Sequence, residues 1–350
     1  MEVKFGIQLP LHPMDLIFET AVYAEKNYFD SVWTPDHLVG IGIRRWDCFE
    51  AWSVLSALAL KTKRVTLGTC VSDPHRKHPA VLAQNLMTLD VLSKGRACLG
   101  MGAGEAMNLD PYGINWEKPV SKMREAIEII KMLLTQDSVN YDGKFFRLEK
   151  AFIEPKPIKK PHPPIWIAGN SEKTMKLTAE VGDGWVPTAR LPEDYKKNLK
   201  KIRKWAKEKG RDPSQIEPGI FLYTVVAEEY EEARKLLELP AKMLMILSPF
   251  REERLREFGV NLEKISTPNM FGFVFNRENV EKMIEETQEI PFSAVEKYFV
   301  FGSPEECISR FEEYVKAGVR HFFLTLLISR EEYRDMLELC AKKVVSYFKY

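Results

Sequence analysis

Short runs rich in β-branched and aromatic residues alternate along this chain with longer runs whose apolar positions recur three or four residues apart. The first kind predicts strands over Val3–Gln8, Ser31–Thr34, Arg64–Thr69, Ala97–Met101, Ile165–Ala168, Gly184–Pro187, Gly219–Val226 and His321–Thr325. The second predicts helices over Asp15–Lys26, Phe49–Leu60, Ala80–Leu92, Val120–Leu134, Glu172–Val181, Glu193–Lys207 and Glu331–Tyr347. In the fourth of these, Met123, Ile127, Ile130 and Leu134 draw one buried stripe. Strands separated by helices imply a parallel sheet, and eight such strands favour an α/β fold of the (β/α)8 TIM-barrel type over an open sheet.

Three stretches depart from the repeat. Ser138–Glu149 reads as a small hairpin turned by Asp142-Gly143. Glu154–Pro164 carries five prolines and reads as an extended spacer. Leu239–Lys297 is too long for one strand-to-helix connection, so it is read as a helical insertion beside the barrel mouth. Ser303-Pro304-Glu305-Glu306 has the pattern of a capping box that opens a helix before the last strand. No domain boundary is visible, and residues 1–350 are read as a single barrel domain.

Composition narrows the function classes. The 350 residues are 45% apolar and 29% charged, as in a well-cored globular protein. Lys and Arg number 51 against 50 Asp and Glu, so there is no excess of basic residues to form a nucleic-acid footprint. The charge-dense run Lys196–Lys209 mixes signs at helical spacing and reads as a solvated helix face. Five scattered cysteines without a C-x-x-C pair point away from a disulfide framework or structural zinc and towards a reducing cytoplasm. No signal segment precedes the first strand, and no apolar run approaches the ~18 residues of a membrane span. The reading is of a soluble intracellular protein.

In a barrel of this kind the residues just after each strand converge on one face, where barrel enzymes react. Those positions hold Gln8; Pro35-Asp36-His37; Cys70-Val71-Ser72; Gly102-Ala103-Gly104-Glu105 with Asn108; Gly169-Asn170; and Pro187-Thr188 with Arg190. His37 is suited to proton exchange near neutral pH, and a loop histidine bonded to a neighbouring carbonyl is the plainer alternative. Glu105 follows small residues that let the backbone approach a ligand closely, although a turn needing glycine explains them equally. The run is not G-x-G-x-x-G, so it carries no dinucleotide fingerprint. His12, His75 and His78 lack partners at metal-ligand spacing, so no metal is expected. Cys70 reads as a small packed hydrophobe, and Trp33, Trp166 and Trp185 as core. Trp46 and Trp116 lie in loops where they could line a pocket.

These residues together resemble the bacterial-luciferase-like flavin superfamily, and within it the branch that uses the deazaflavin coenzyme F420. Its landmarks are Lys4-Phe5-Gly6-Ile7, Pro35-Asp36-His37, Leu89-Asp90 to Gly95-Arg96, and Gly100-x-Gly102-x-Gly104-Glu105-Ala106-Met107-Asn108. Pro163-Pro164-Ile165-Trp166-Ile167-Ala168-Gly169, Gly182-Asp183-Gly184-Trp185 and Gly302-Ser303-Pro304-Glu305-Glu306 complete the set. Asp36-His37 and Glu105-Ala106-Met107-Asn108 resemble the F420-dependent alcohol and sugar-phosphate dehydrogenases. Tyr112-Gly113-Ile114-x-Trp116 with Lys118-Pro119-Val120-Ser121 looks more like methylenetetrahydromethanopterin reductase.

The resemblance implies F420 at the barrel mouth, backed by a bulge at Cys70, Val71 and Ser72 with a non-proline cis peptide at or next to Cys70–Val71. It implies that Asp36, Gly104, Asn108, Gly169 and Asn170 hold the cofactor. Hydride passes between the ring's C5 and a small organic substrate, with His37 and Glu105 as acid/base groups. The alternative on the same barrel is an FMN-dependent monooxygenase. The family often forms dimers, which makes a homodimer the default assembly. The stretch Leu38-Val39-Gly40-Ile41-Gly42-Ile43 departs from the tryptophan that the dehydrogenases carry there, so the substrate side of the pocket is shaped differently.

Overall fold

The computed structural model describes residues 2–43 and 45–349. Its strands are β1 (Lys4–Gln8), β2 (Ser31–Thr34), β3 (Thr66–Ser72), β4 (Ala97–Met101), β5 (Val139–Asp142), β6 (Arg147–Ala151), β7 (Ile165–Ala168), β8 (Gly184–Val186), β9 (Glu217–Val226), β10 (Val300–Gly302) and β11 (His321–Leu326). Eight of them pair in parallel in the order β1-β2-β3-β4-β7-β8-β9-β11, and β11 returns to β1 to close the barrel. This is a closed (β/α)8 barrel, as the strand–helix alternation predicts.

The helix Pro119–Thr135 buries Met123, Ile127, Ile130 and Leu134 against the outside of the barrel. The helix Pro192–Glu208 keeps only Tyr195, Leu199, Ile202 and Ala206 buried, so its charged run faces solvent. Val139–Asp142 and Arg147–Ala151 form the expected antiparallel hairpin. Ser303 caps the helix Pro304–Ala317: its hydroxyl accepts from the Glu306 amide, and the Glu306 carboxylate accepts from the Ser303 amide. Between β9 and β11 the expected insertion is mostly helical, with helices over Tyr230–Leu247, Arg251–Arg256, Arg277–Glu286 and Phe292–Tyr298.

Several boundaries differ from the sequence reading. The third strand runs over Thr66–Ser72 rather than Arg64–Thr69. Arg64 is drawn out of it because its guanidinium donates to the carbonyls of Ala24, Glu25 and Asn27 at the end of the first helix. The short strand β10 lies just past the insertion, where the sequence reading assigned no element, and it pairs with the far end of β9. The closing helix is regular over Arg330–Leu339 and then widens into a π-helical turn over Cys340–Val345.

The barrel interior is layered, as inward positions on alternate residues demand. At the base, Ser31, Glu217 and His321 meet Lys4. Above them Trp33, Trp166 and Phe323 fill the centre. Trp33 fits because β3 offers Gly68, where a Cβ would sit 2.4 Å from the indole. Cys70, Ala168, Val186 and Tyr223 pack on this cluster from above and form the floor of the mouth.

Candidate active site

β3 is bulged where its last residues leave the barrel. The register to β4 shifts between Thr69 and Ser72, and the Cys70–Val71 peptide bond is cis, as the resemblance implied. Gln8 ties this segment to the far side of the mouth. Its amide donates to the Cys70 carbonyl at 3.2 Å, and its oxygen accepts from the Thr325 hydroxyl at 2.6 Å. Burial pushes the Cys70 thiol up to about 12, so it stays protonated and packs as a neutral group.

Ser72 fixes the neighbouring strand end. Its hydroxyl donates to Asp36 Oδ2 at 2.5 Å. Arg76 reaches the same residue twice, donating to Asp36 Oδ1 at 3.1 Å and to the Asp36 backbone carbonyl. Lys77 adds contacts of 3.3 Å to both carboxylate oxygens and bridges to Glu50 at 2.8 Å. Asp73 completes the cluster: its carboxylate takes Arg76 Nε at 2.5 Å. Burial alone would raise the Asp73 carboxyl, but Arg76 outweighs it and holds it below its ordinary value. Asp36 is therefore a buried carboxylate compensated on every side, the condition under which a buried charge is tolerated.

His37 follows directly, pinned between the clamped Asp36 and Leu38, whose amide donates to the Asn108 carboxamide oxygen at 2.8 Å. Its Nε2 lies 3.9 Å from Glu105 Oε2 across the mouth, and its Nδ1 is buried with no hydrogen-bond partner among the described residues. Gly104, just before Glu105, has φ +90°, and a Cβ there would meet Leu109, His75 and Trp116 at 3.0–3.2 Å. Trp116 lies against this turn, donating to the Ala103 carbonyl at 2.7 Å, and packs on Phe271 of the insertion. The insertion thus reaches the turn that follows β4. Trp46 packs on Phe275 of the same segment. Leu38, Ile41 and Ile43 are exposed and make the rim after His37 apolar.

At the opposite side Gly169 has φ +143°, and Asn170 is held by its neighbours. The Asn170 amide donates to the Thr188 carbonyl, while Arg190 donates to the Asn170 side-chain and backbone oxygens at 3.3 and 3.1 Å. Arg190 stacks on Phe250, and Arg254 donates to the Ala189 carbonyl at 2.7 Å. The structure therefore brings the histidine, the glutamate, the bulge and the Gly169-Asn170 turn to one end of the barrel. Arg76, Lys77, Asp73 and Tyr223 were not picked out from sequence. Arg76 and Lys77 begin a helix approach that reads as ordinary surface charge, and Tyr223 reads as a strand aromatic.

A second polar cluster imitates a catalytic triad at the other end. Ser31 Oγ is 2.8 Å from His321 Nε2, and His321 Nδ1 is 3.5 Å from Glu217 Oε1. Ser31 is fully buried and accepts from the Trp33 indole, so no substrate reaches it. That cluster closes the barrel base.

The luciferase-like monooxygenase profile matches residues 6–321, most of the chain. The chain belongs to the luciferase-like monooxygenase family. Among its luciferase-like relatives is 5,10-methylenetetrahydromethanopterin reductase of Archaeoglobus fulgidus, 29% identical over 99% of this chain and all of that one. Phthiodiolone/phenolphthiodiolone dimycocerosates ketoreductase of a Mycobacterium species (strain JLS) is 33% identical over 68% of this chain and 65% of its own. Among solved structures, an F420-dependent secondary alcohol dehydrogenase in complex with an F420-acetone adduct superposes with a TM-score of 0.82 at 26% identity, over 98% of both chains. These luciferase-like relatives are oxidoreductases.

Proposed function

We propose that this luciferase-like protein is a coenzyme F420-dependent oxidoreductase that acts on a small organic substrate, an alcohol or ketone or a pterin-like molecule. The observation that carries the reading is the His37–Glu105 pair, 3.9 Å apart beside the bulged Cys70–Ser72 segment. The residues fit a flat ring there: the mouth has an uncharged floor, and among the described residues the His37 Nδ1 is an unspent polar atom. Cys70, Val71 and Ser72, with Asp36, Gly104, Asn108, Gly169 and Asn170, would hold the cofactor there. When bound, the deazaflavin supplies hydride donation or acceptance at its ring C5.

The chain's own part is proton handling and orientation. His37 Nε2 gives a proton to the substrate oxygen or nitrogen as it becomes basic, or takes one in the reverse direction. Glu105, across the gap, offsets the imidazolium charge and exchanges the proton with solvent. Asp36 and Asn108 keep His37 from turning away. The apolar rim of Leu38, Ile41 and Ile43 favours a carbon-rich substrate. The resemblance implies a homodimer, and the scattered cysteines suit a reducing cytoplasm.

The same barrel with bound FMN would be an oxygen-using monooxygenase, the activity for which the family is named. Titration with oxidised F420 and with FMN, followed by ring absorbance, separates the two. Binding of F420 with weak or absent FMN binding is expected; tight FMN binding without F420 binding overturns the proposal.

A further inference from the structure

The floor of the mouth holds a polar group that no described residue uses. Along β9, Phe221 and Tyr223 point inward, and the Tyr223 ring packs at 5.2 Å on Phe221 and 5.8 Å on Phe299. The other polar groups of this layer are satisfied: Thr325 donates to Gln8, and Gln8 donates to the Cys70 carbonyl. The Tyr223 hydroxyl, next to Thr325 in the strand register, has no hydrogen bond to any described residue. Tyr223 is half-buried, and its hydroxyl, unlike the sealed His37 Nδ1, is open to solvent, where a molecule in the mouth can reach it.

Its surroundings fit a donor aimed at a bound molecule. Burial, then the charge of Glu105, pushes the phenol well above its ordinary value, so it keeps its proton across the working pH range. The strand register sets Tyr223 beside Thr325, which bonds the same Gln8 that is tied to the Cys70 carbonyl, so the ring lies in the layer next to the bulge. A neutral phenol held by its ring in an aromatic cluster is a preorganised donor, the type of group that stabilises a developing oxyanion.

We propose that the Tyr223 hydroxyl is a ligand-facing hydrogen-bond donor, aimed at an acceptor oxygen of the molecule that occupies the mouth. That oxygen belongs either to a carbonyl of the bound ring or to the carbonyl or alkoxide of the substrate. The inference rests on the proposed function for the presence of a ring in the mouth. No covalent step is involved: the donor keeps its proton and strengthens its bond as negative charge grows on the acceptor.

Tyr223→Phe removes one oxygen and nothing else. Because the hydroxyl holds no partner among the described residues, the variant melts at the wild-type temperature or slightly above it. Wild type, Tyr223→Phe and a control, Tyr230→Phe, whose hydroxyl serves Glu296 outside the mouth, are titrated with F420 and with FMN. Each is then assayed with the reduced ring and acetone. An acceptor on the ring weakens binding about tenfold in Tyr223→Phe and shifts the ring's absorption band. An acceptor on the substrate leaves ring binding intact and lowers turnover about 100-fold. Tyr230→Phe matches wild type throughout. A Tyr223→Phe chain equal to wild type in both arms overturns the proposal, and so does one that melts clearly lower, which would show that the hydroxyl serves the fold. Failure of the wild type to bind either ring overturns the proposed function and Tyr223 with it.

Discussion

Arg76 holds Asp36 at both ends, pairing with its carboxylate at 3.1 Å and donating to its backbone carbonyl. The guanidinium itself is buried, with only 8% of its side chain exposed. It is therefore part of the frame that sets the direction of His37, one residue further on. Breaking such a pair on one side leaves a buried charge, which costs about 3–5 kcal/mol. Arg76→Met is expected to lose stability of that order in denaturant unfolding. Arg76→Lys should recover part of it, because one ammonium cannot serve both the carboxylate and the carbonyl. Equal stability of all three proteins would show that Asp36 is held without Arg76.

His37 and Glu105 differ from this frame in being partly open to the mouth. His37→Ala and Glu105→Gln should each keep ring affinity and thermal stability while turnover falls about 10²–10⁴-fold, the usual range for a lost proton-transfer group. Stopped-flow measurement of ring oxidation checks this. Loss of ring binding in parallel with turnover would mean that the two side chains build the cradle instead.

Gly104 gives a test of the cradle that does not touch the acid/base pair. At φ +90° an alanine is strained, and its methyl would press on Leu109, His75 and Trp116. Backbone strain of this kind costs about 1–3 kcal/mol. Gly104→Ala is expected to melt lower and to bind the ring more weakly, since the turn must shift toward the mouth. A titration that finds unchanged affinity would place the ring away from this turn.

The barrel base makes a pH prediction. Burial raises the Glu217 carboxyl, but His321 and Lys4 outweigh it and hold it at about 2. A carboxylate whose folded value lies below its unfolded value stabilises the protein above the unfolded value, and the gain is lost as pH falls toward 2. Wild type should therefore melt higher than Glu217→Gln at pH 6–7, and the gap should narrow steadily below about pH 4.5. Parallel melting curves of the two proteins from pH 7 to pH 2 would contradict the ion contacts at the base.

Much of the architecture was legible in the chain itself. A strand repeats its apolar positions every two residues and a helix every three or four, so the element order can be read without contacts. Once eight strands alternate with helices, closure into a barrel follows, and so does the end where Asp36-His37, Cys70-Val71-Ser72 and Glu105 gather. The Ser303 capping box and the hairpin over Val139–Ala151 are local motifs and were equally visible.

What periodicity cannot carry is which side chains meet across strands. Strand β10 was missed because three residues, Val300–Gly302, give too short a run to separate from the insertion before it. Arg64 read as strand because its tie to the first helix is a tertiary contact. Arg76 on Asp36, Gln8 between Cys70 and Thr325, and the unpaired Tyr223 hydroxyl likewise arise only on closure of the barrel. The sequence by itself determined the order of elements and which strand ends face the mouth, since both follow from local spacing. The tertiary structure alone decided that His37 and Glu105 stand 3.9 Å apart and that Asp36 is fully paired, because those distances depend on how neighbouring parallel strands are staggered.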